Sequence, residues 1–403
     1  MALPAFAGTG IELEYMIVDR ATLDVRPIAE RLLAGFAGRD ASDVDRGVLG
    51  WSNELVRHVV EVKNLAPAPT LAPLVATFQD EIRAADALLA EHGARLMPTA
   101  MHPWMDPAHE TTLWDGEIYR AYDRIYDCRS HGWANLQSMH VNLPFAGDSE
   151  FARLHAAIRL VLPLLPALAA SSPIADGRPA ALLDFRLHAY RHNCLLTPSV
   201  AGSVVPETVE TQAQYEAKVL RPMYDEIARH DGDGVLAHEW LNSRGAIARF
   251  ARSAIEIRVI DVQECPQVDL ALAAATRAVV RALYDERYAP LDEQQAVATE
   301  TLSQVLLATI RDADEAVLDD ADYLHALGMP VRRCVARDVW APLLAEASNG
   351  PAWWQPALET IVREGPLARR ILRATGPAPD RARLRAVYGE LCGCLHDGRM
   401  FRG

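Results

Sequence analysis

Alternation of charge along two stretches far apart in the chain limits the fold more than any other feature. In Gly10–Tyr15, GIELEY, Glu12 and Glu14 stand two residues apart between apolar neighbours. On a strand, successive side chains point to opposite faces, so both carboxylates share one face and Ile11, Leu13 and Tyr15 the other. The design returns in Ala254–Asp261, AIEIRVID: Glu256 and Arg258, with Ile260 next in the alternation, line one face, and Ile255, Ile257 and Val259 the other. Two such strands in one sheet make a floor of carboxylates and guanidinium on an apolar back. Like charges held together raise one another's proton affinity and call for cations, which is how a metal–nucleotide site is built.

Two more stretches carry the pattern. In Ser138–Phe145, SMHVNLPF, His140 and Asn142 share a face against Met139, Val141 and Leu143. In Asn53–Asn64, NELVRHVVEVKN, Glu54 and Glu61 are seven apart. A continuous helix would align them, whereas a strand sets them on opposite faces unless a bend or bulge intervenes. The β-branched run Val56–Val62 favours a strand in the second half. Five glutamates and one histidine suit two or three Mg²⁺ or Mn²⁺ ions, which take oxygen ligands and leave positions to water and phosphate. They do not suit a structural zinc.

Neither a Gly-x-x-x-x-Gly-Lys-Ser/Thr loop nor a Gly-x-Gly-x-x-Gly turn occurs, so phosphates must be held by metal and arginine. Arg258 has the fork for phosphate oxygens; its competing role is an ion pair with Glu256 or Asp261. Gly177–Asn193 concentrates Arg178, Arg186, His188, Arg191 and His192, a density as consistent with a solvated loop as with an anion site. His102, His109 and His131 fall in a His-, Pro- and Trp-rich loop and read as surface residues.

At 403 residues, half of them hydrophobic, the chain can bury a large core, and a formal charge of −14 argues against a nucleic-acid or membrane-surface binder. The six cysteines show no Cys-x-x-Cys spacing and read as reduced thiols. No signal-peptide pattern and no run near the ~20 apolar residues of a membrane span is visible, so a cytoplasmic protein is expected. The pattern predicts a turn and second strand in Asp19–Arg26 and long helices over Thr70–Gly93, Glu150–Ala170, Gln212–Arg229 and Asp269–Tyr284. Beyond Asp292 it predicts only helices, ending with Ala336–Ser348, Pro356–Arg363, Leu367–Ala374 and Asp380–Leu395. The expected organisation is an α+β catalytic domain over 1–290 with a helical subdomain, 291–403, packed on it.

In order and spacing, GIELEY, ELVRHVVEVKN, SMHVNLPF, SSPIADGRPAALLDFRLHAYR and AIEIRVIDVQECPQVDLALAAATRAVVRAL resemble the glutamate–cysteine ligase type 2 family, the YbdK-like carboxylate–amine ligases, over roughly residues 8–285. The resemblance implies a glutamine-synthetase-like fold, a curved and mostly antiparallel sheet with helices on its back and the nucleotide over its concave face. It implies ATP and Mg²⁺ or Mn²⁺, with Glu12, His140 and Glu256 gripping one ion and Glu14, Glu54 and Glu61 the others. Arg258 then faces the transferred phosphoryl group beside Glu256 in the catalytic centre, and Arg186, with Arg191 of the same segment, meets the substrate carboxylate. The implied reaction joins a carboxylate, that of glutamate, to an amine through an acyl phosphate. Two other readings of the same acids are a metal-dependent amidohydrolase and a non-catalytic nucleotide-binding relative. A homo-oligomer is compatible with the sequence, which does not name the amine.

Overall fold

The first strand, β1 (Gly10–Asp19), runs through the middle of the molecule. The structure, a computed structural model, describes residues 2–347 and 352–403; the expected helix end at Ser348 lies outside the described residues. In chain order the other strands are β2 (Asp43–Asp45), β3 (Leu49–Asn53), β4 (Val59–Asn64), β5 (Ala94–Met97), β6 (Ser138–Pro144), the small hairpin β7 (Ile174–Ala175) and β8 (Arg178–Pro179), β9 (Ala246–Arg249) and β10 (Ala254–Asp261). A second two-stranded piece, β11 (Val317–Leu318) and β12 (Cys334–Val335), lies in the C-terminal part, where only helices were expected. The main sheet has the order β2-β3-β4-β1-β6-β10-β9, with β5 joining β1 beyond β6, and all its strand pairs are antiparallel.

Register turns sequence alternation into a surface. Glu12 lies opposite Lys63 on one side and His140 on the other, Glu14 opposite Glu61, and Glu256 opposite Asn142. Glu54 and Glu61 come together because the chain reverses between them: β3 ends at Asn53, the turn contains Glu54, and β4 returns with Ser52 opposite Glu61.

β10 departs from simple alternation. Its pairing with β6 shifts between Ile257 and Ile260, so three steps on β10 match two on β6. The extra residue of this β-bulge reverses the parity beyond it. Ile260 therefore enters the core, and Asp261 takes the polar face opposite Ser138. The expectation that Ile260 would follow Glu256 and Arg258 on that face is corrected by this bulge.

Behind the sheet, Ile11, Leu13, Tyr15, Val141 and Ile257 share one core with the helices Ala72–Ala90, Gly147–Val161 and Pro266–Tyr284. That core runs on into the C-terminal helices through Leu302, Trp340 and Leu358. A second core covers one end of the polar face, where Met16, Val18, Val59 and Met97 meet Leu367, Ile371, Leu384 and Tyr388 from the helices Leu367–Thr375 and Arg381–Asp397. The single helix expected over Glu150–Ala170 is broken into Gly147–Val161, a 3₁₀ turn and Pro166–Ala169, because Pro163 and Pro166 cannot donate the helix hydrogen bond. Gln212–Arg229 is likewise interrupted by a π turn at Glu216–Leu220. The strand expected after Asp19 reduces to a bridge between Val18 and Val25.

Three histidines are buried without a carboxylate partner. His58 meets only the carbonyl of Ala134, 2.8 Å away. His102, expected at the surface, is buried and meets the carbonyl of Leu23 at 2.8 Å. Neither ring nitrogen of buried His155 has a partner. Burial pushes them down to about 4, 3 and 3 respectively, with Arg159 adding to the effect at His155. Their folded values lie below the unfolded value near 6.5, so the neutral rings stabilise the fold above that pH. The contribution is lost as pH falls from 6.5 toward 3. His155→Leu is expected to raise stability by about 1 kcal/mol at pH 7.5 and to flatten its decline between pH 6.5 and 4.5. Calorimetric melts across that range check this, and a variant that loses stability faster than the parent on acidification contradicts it.

Candidate active site

Side chains from five strands make the floor. His140 stands at its centre, with Nδ1 2.9 Å from Glu12 Oε2 and 3.8 Å from Glu256 Oε1, and Nε2 3.7 Å from Glu14 Oε1. Asn142 donates to the other oxygen of Glu12 at 3.1 Å, and Glu14 accepts from the backbone N–H and hydroxyl of Ser138 at 2.6 and 3.1 Å. Glu61 accepts from Ser52 and Lys63 at 3.1 and 2.7 Å. Oxygen or nitrogen atoms of Glu12, Glu61 and His140 lie within 4.8 Å of one another, as do those of Glu14, Glu54 and Glu61.

The charges do not balance locally. Burial, then the charges of Glu61 and Glu14, push the Glu54 carboxyl well above the usual range. Burial and the Glu12 charge push Glu61 up to about 7, although Lys63 opposes them. Burial would also raise Glu12, but the hydrogen bond and charge of His140, helped by Lys63 and Arg258, hold it down at about 2. For His140 burial acts downward and loses to Glu12, Glu14 and Glu256, which lift it to about 9. The imidazole is thus protonated at neutral pH and must release that proton before ligating a metal. Triads rich in carboxylate oxygen, crowded enough to raise Glu54 and Glu61, are the donor set expected for hard divalent cations, so the residues fit Mg²⁺ or Mn²⁺.

Two cavities open on this floor. One, about 450 Å³, is lined by Gly10, Glu12, Lys63, Asn64, Asn142 and Arg252, with Leu3, Leu65 and Pro67 as its apolar side. The other, about 240 Å³, is lined by the polar side chains of Glu14, Glu54, Ser138, His140, Arg186 and Arg258 and by the aromatic side chains of Tyr119, Tyr122, Trp133, Tyr190 and Trp240. Gly132 lies at its wall, where a Cβ would collide with the Asn193 side chain.

The predicted residues separate into three groups. Glu12, Glu14, Glu54, Glu61 and His140 come together in the two triads. Glu256 lies beside them but outside both, its carboxylate held by Arg258 at 2.9 Å and Arg249 at 3.0 Å. Arg186 lies on the helix Phe185–Tyr190, whose N-cap is Asp184, and reaches the second cavity while ion-paired with buried Asp261. Asp261 also accepts from the Ser171 N–H at 2.8 Å and the Ser172 hydroxyl at 3.0 Å, which fixes the guanidinium. Arg191 forms the C-cap of that helix, half-buried and outside both cavity linings. Sequence reasoning missed Ser52, Lys63, Ser138, Arg249 and Asp261. Lys63 and Ser138 were within reach, since each stands two residues from a chosen residue on the same strand face. Asp261 was hidden by the bulge, and the aromatic wall is assembled from four separate helical segments.

The profile of the glutamate–cysteine ligase family 2 matches residues 9–390. An uncharacterized protein of Archaeoglobus fulgidus is 36% identical over 280 residues, 69% of this chain and 75% of that protein. The fold is shared with the crystal structure of a glutamate–cysteine ligase from Francisella tularensis in complex with AMP, at a TM-score of 0.58 and 13% identity, covering 98% of this chain and 90% of that one. It is shared too with a bifunctional glutathione synthetase from Pasteurella multocida, at a TM-score of 0.62 and 12% identity, covering 98% of this chain and 53% of that one. The chain belongs to the glutamate–cysteine ligase family 2 and is an ATP-dependent carbon–nitrogen ligase. Among its described residues no helix is long and apolar enough to cross a membrane.

Carboxyls raised in the folded state destabilise it increasingly as pH rises from about 4.5 through 7. Glu54→Gln is therefore expected to raise the melting temperature of metal-free protein by about 1–3 °C at pH 8, less at pH 5.5. It is also expected to shrink the further rise that added Mg²⁺ gives the parent. Thermal melts with chelator and with Mg²⁺ measure both, and a lower metal-free melting temperature at pH 8 refutes the crowding of carboxylates.

Proposed function

We propose that this member of the glutamate–cysteine ligase family 2 transfers the γ-phosphoryl group of ATP to the γ-carboxylate of glutamate, and that an amine then displaces the phosphate to form an amide. The observation that carries the reading is the floor of carboxylates between two cavities of different chemistry. Lys63, Arg252 and an apolar side suit a nucleotide in the larger one, in keeping with the AMP bound to the ligase of the same fold. Arg186 and Arg258 suit a carboxylate substrate in the smaller one. We assign catalysis to residues 1–290, with 291–403 as a helical subdomain closing one end of the floor.

A carboxylate is a poor electrophile until one of its oxygens becomes part of a phosphate leaving group. Attack by the amine then forms the C–N bond, breaks the C–O bond to phosphate, and releases phosphate and a proton. Glu12, Glu61 and His140, and Glu14, Glu54 and Glu61, would hold Mg²⁺ or Mn²⁺, with Glu61 common to both sets. The ions would supply neutralisation of phosphate charge. Arg258, oriented by Glu256 and by the Asn242 carbonyl at 3.4 Å, meets the developing charge with a guanidinium already in place, which costs no reorganisation during the reaction. Arg186, immobilised by Asp261, orients the substrate carboxylate. The wall of the smaller cavity limits water, which would otherwise hydrolyse the acyl phosphate.

Hydroxylamine tests the intermediate, since it converts an acyl phosphate into a hydroxamate. With Mg²⁺, ATP and glutamate, a γ-glutamyl hydroxamate is expected by mass spectrometry. Arg258→Lys keeps the charge but loses the planar fork, so single-turnover ADP formation should fall roughly 100- to 1000-fold while ATP affinity changes only a few fold. ADP formed at the parental rate by the variant would remove Arg258 from the mechanism.

A further inference from the structure

Five aromatic side chains line the smaller cavity, Tyr119, Tyr122, Trp133, Tyr190 and Trp240, and beyond limiting water they have no part in the chemistry described above. They are braced by other groups. Tyr122 packs against Trp133 and Trp240 with ring centroids 5.2 and 5.9 Å apart, Tyr126 stacks behind Trp133 at 5.1 Å, and His238 stacks behind Trp240 at 5.5 Å. The Tyr126 hydroxyl is tied to Thr197 at 2.6 Å and that of Tyr119 to the Asn53 side chain at 3.0 Å. Trp133, Trp240, Tyr119, Tyr122 and Tyr190 all remain partly exposed, so that, although four of them also pack against the main core, the rings line open space. About 240 Å³ is the room of roughly eight waters.

The charges of the lining narrow the occupant. Its two arginines already have carboxylate partners, Arg186 with Asp261 and Arg258 with Glu256, and the donor carboxylate takes both in the reading above. No other arginine and no lysine lines the cavity, so none is left to receive the carboxylate of an amino-acid acceptor. A small polar acceptor would leave most of the wall in water. A flat apolar body would bury it, with offset or edge contacts between rings.

Resting on the ligase reading, we infer that the acceptor is an arylalkylamine, a primary amine without a carboxylate whose ring packs among Tyr122, Trp133 and Trp240 while its nitrogen points to the acid floor. The specificity-determining residues are then the two tryptophans.

The test uses the full chain with Mg²⁺, ATP and glutamate, and compares 2-phenylethylamine, L-cysteine and hydroxylamine by ADP release and product mass. The expected result is a kcat/KM for 2-phenylethylamine at least tenfold above that for cysteine. Trp240→Ala, and Trp240→Leu as the variant that keeps an apolar filling, should each reduce the 2-phenylethylamine value at least tenfold more than the hydroxylamine value. Preference for cysteine, or equal losses for both acceptors in the variants, overturns the acceptor class while hydroxamate formation upholds the ligase reading. A raised KM for ATP in the Trp240 variants, with acceptor preference unchanged, gives the wall to the nucleotide base and overturns the inference. Absence of any glutamyl hydroxamate brings down the ligase reading and the inference together.

Discussion

Repulsion among carboxylates is the constraint from which the rest of the site follows. Antiparallel register places Glu12, Glu14 and Glu61 on neighbouring strands with their side chains on one face, where they cannot all be ionised without compensation. The protein compensates with His140, which bonds to Glu12 and lies near Glu14 and Glu256, and with Lys63 at Glu61. Two arginines take up Glu256. What is left over raises Glu54 well above the usual carboxyl range and Glu61 to about 7. The array is therefore poised to exchange protons for divalent cations, and the apolar back of the sheet holds it in place while it does so.

Two kinds of packing support that array. The large core behind the sheet fixes the strands, and the smaller core over Met16, Val18, Val59 and Met97 seals one end of the polar face with C-terminal helices. An alternation of charged and apolar residues thus becomes, farther along the same strand, a strand buried on both faces, and this change sets where the site ends.

The floor was legible because a strand's side-chain period is two and the residues concerned have chemistry that a half-buried strand face would not otherwise use. Glu12, Glu14, His140 and Glu256 stand out on that ground alone. Glu54 and Glu61 were harder: their separation is odd, and only the turn after β3 makes them neighbours. The helices were legible from periodicity, except where Pro163 and Pro166 break one of them. β2 and β3 went unread, being short, and β3 owes its place to pairing with β4. Asp261 and Arg186 could not be joined in advance, since one follows a bulge and the other sits on a helix remote in sequence. The aromatic wall gave no signal, because its four helical segments meet only in three dimensions.

The bulge in β10 also bears on how the molecule reaches a single register. A ladder of evenly alternating residues can slip by two positions and still keep its apolar side inward. An extra residue at a fixed point removes that freedom, because the segments before and after it must satisfy opposite parities at once. Were β10 displaced by one step along β6, Ile260 would face the acids and Asp261 would enter the core without Arg186, an uncompensated buried charge. The irregularity therefore works as an alignment mark: the sheet edge is correctly seated only when the Arg186–Asp261 pair has closed. The register that assembles the floor is thus the same one that sets the Arg186 guanidinium at the cavity wall.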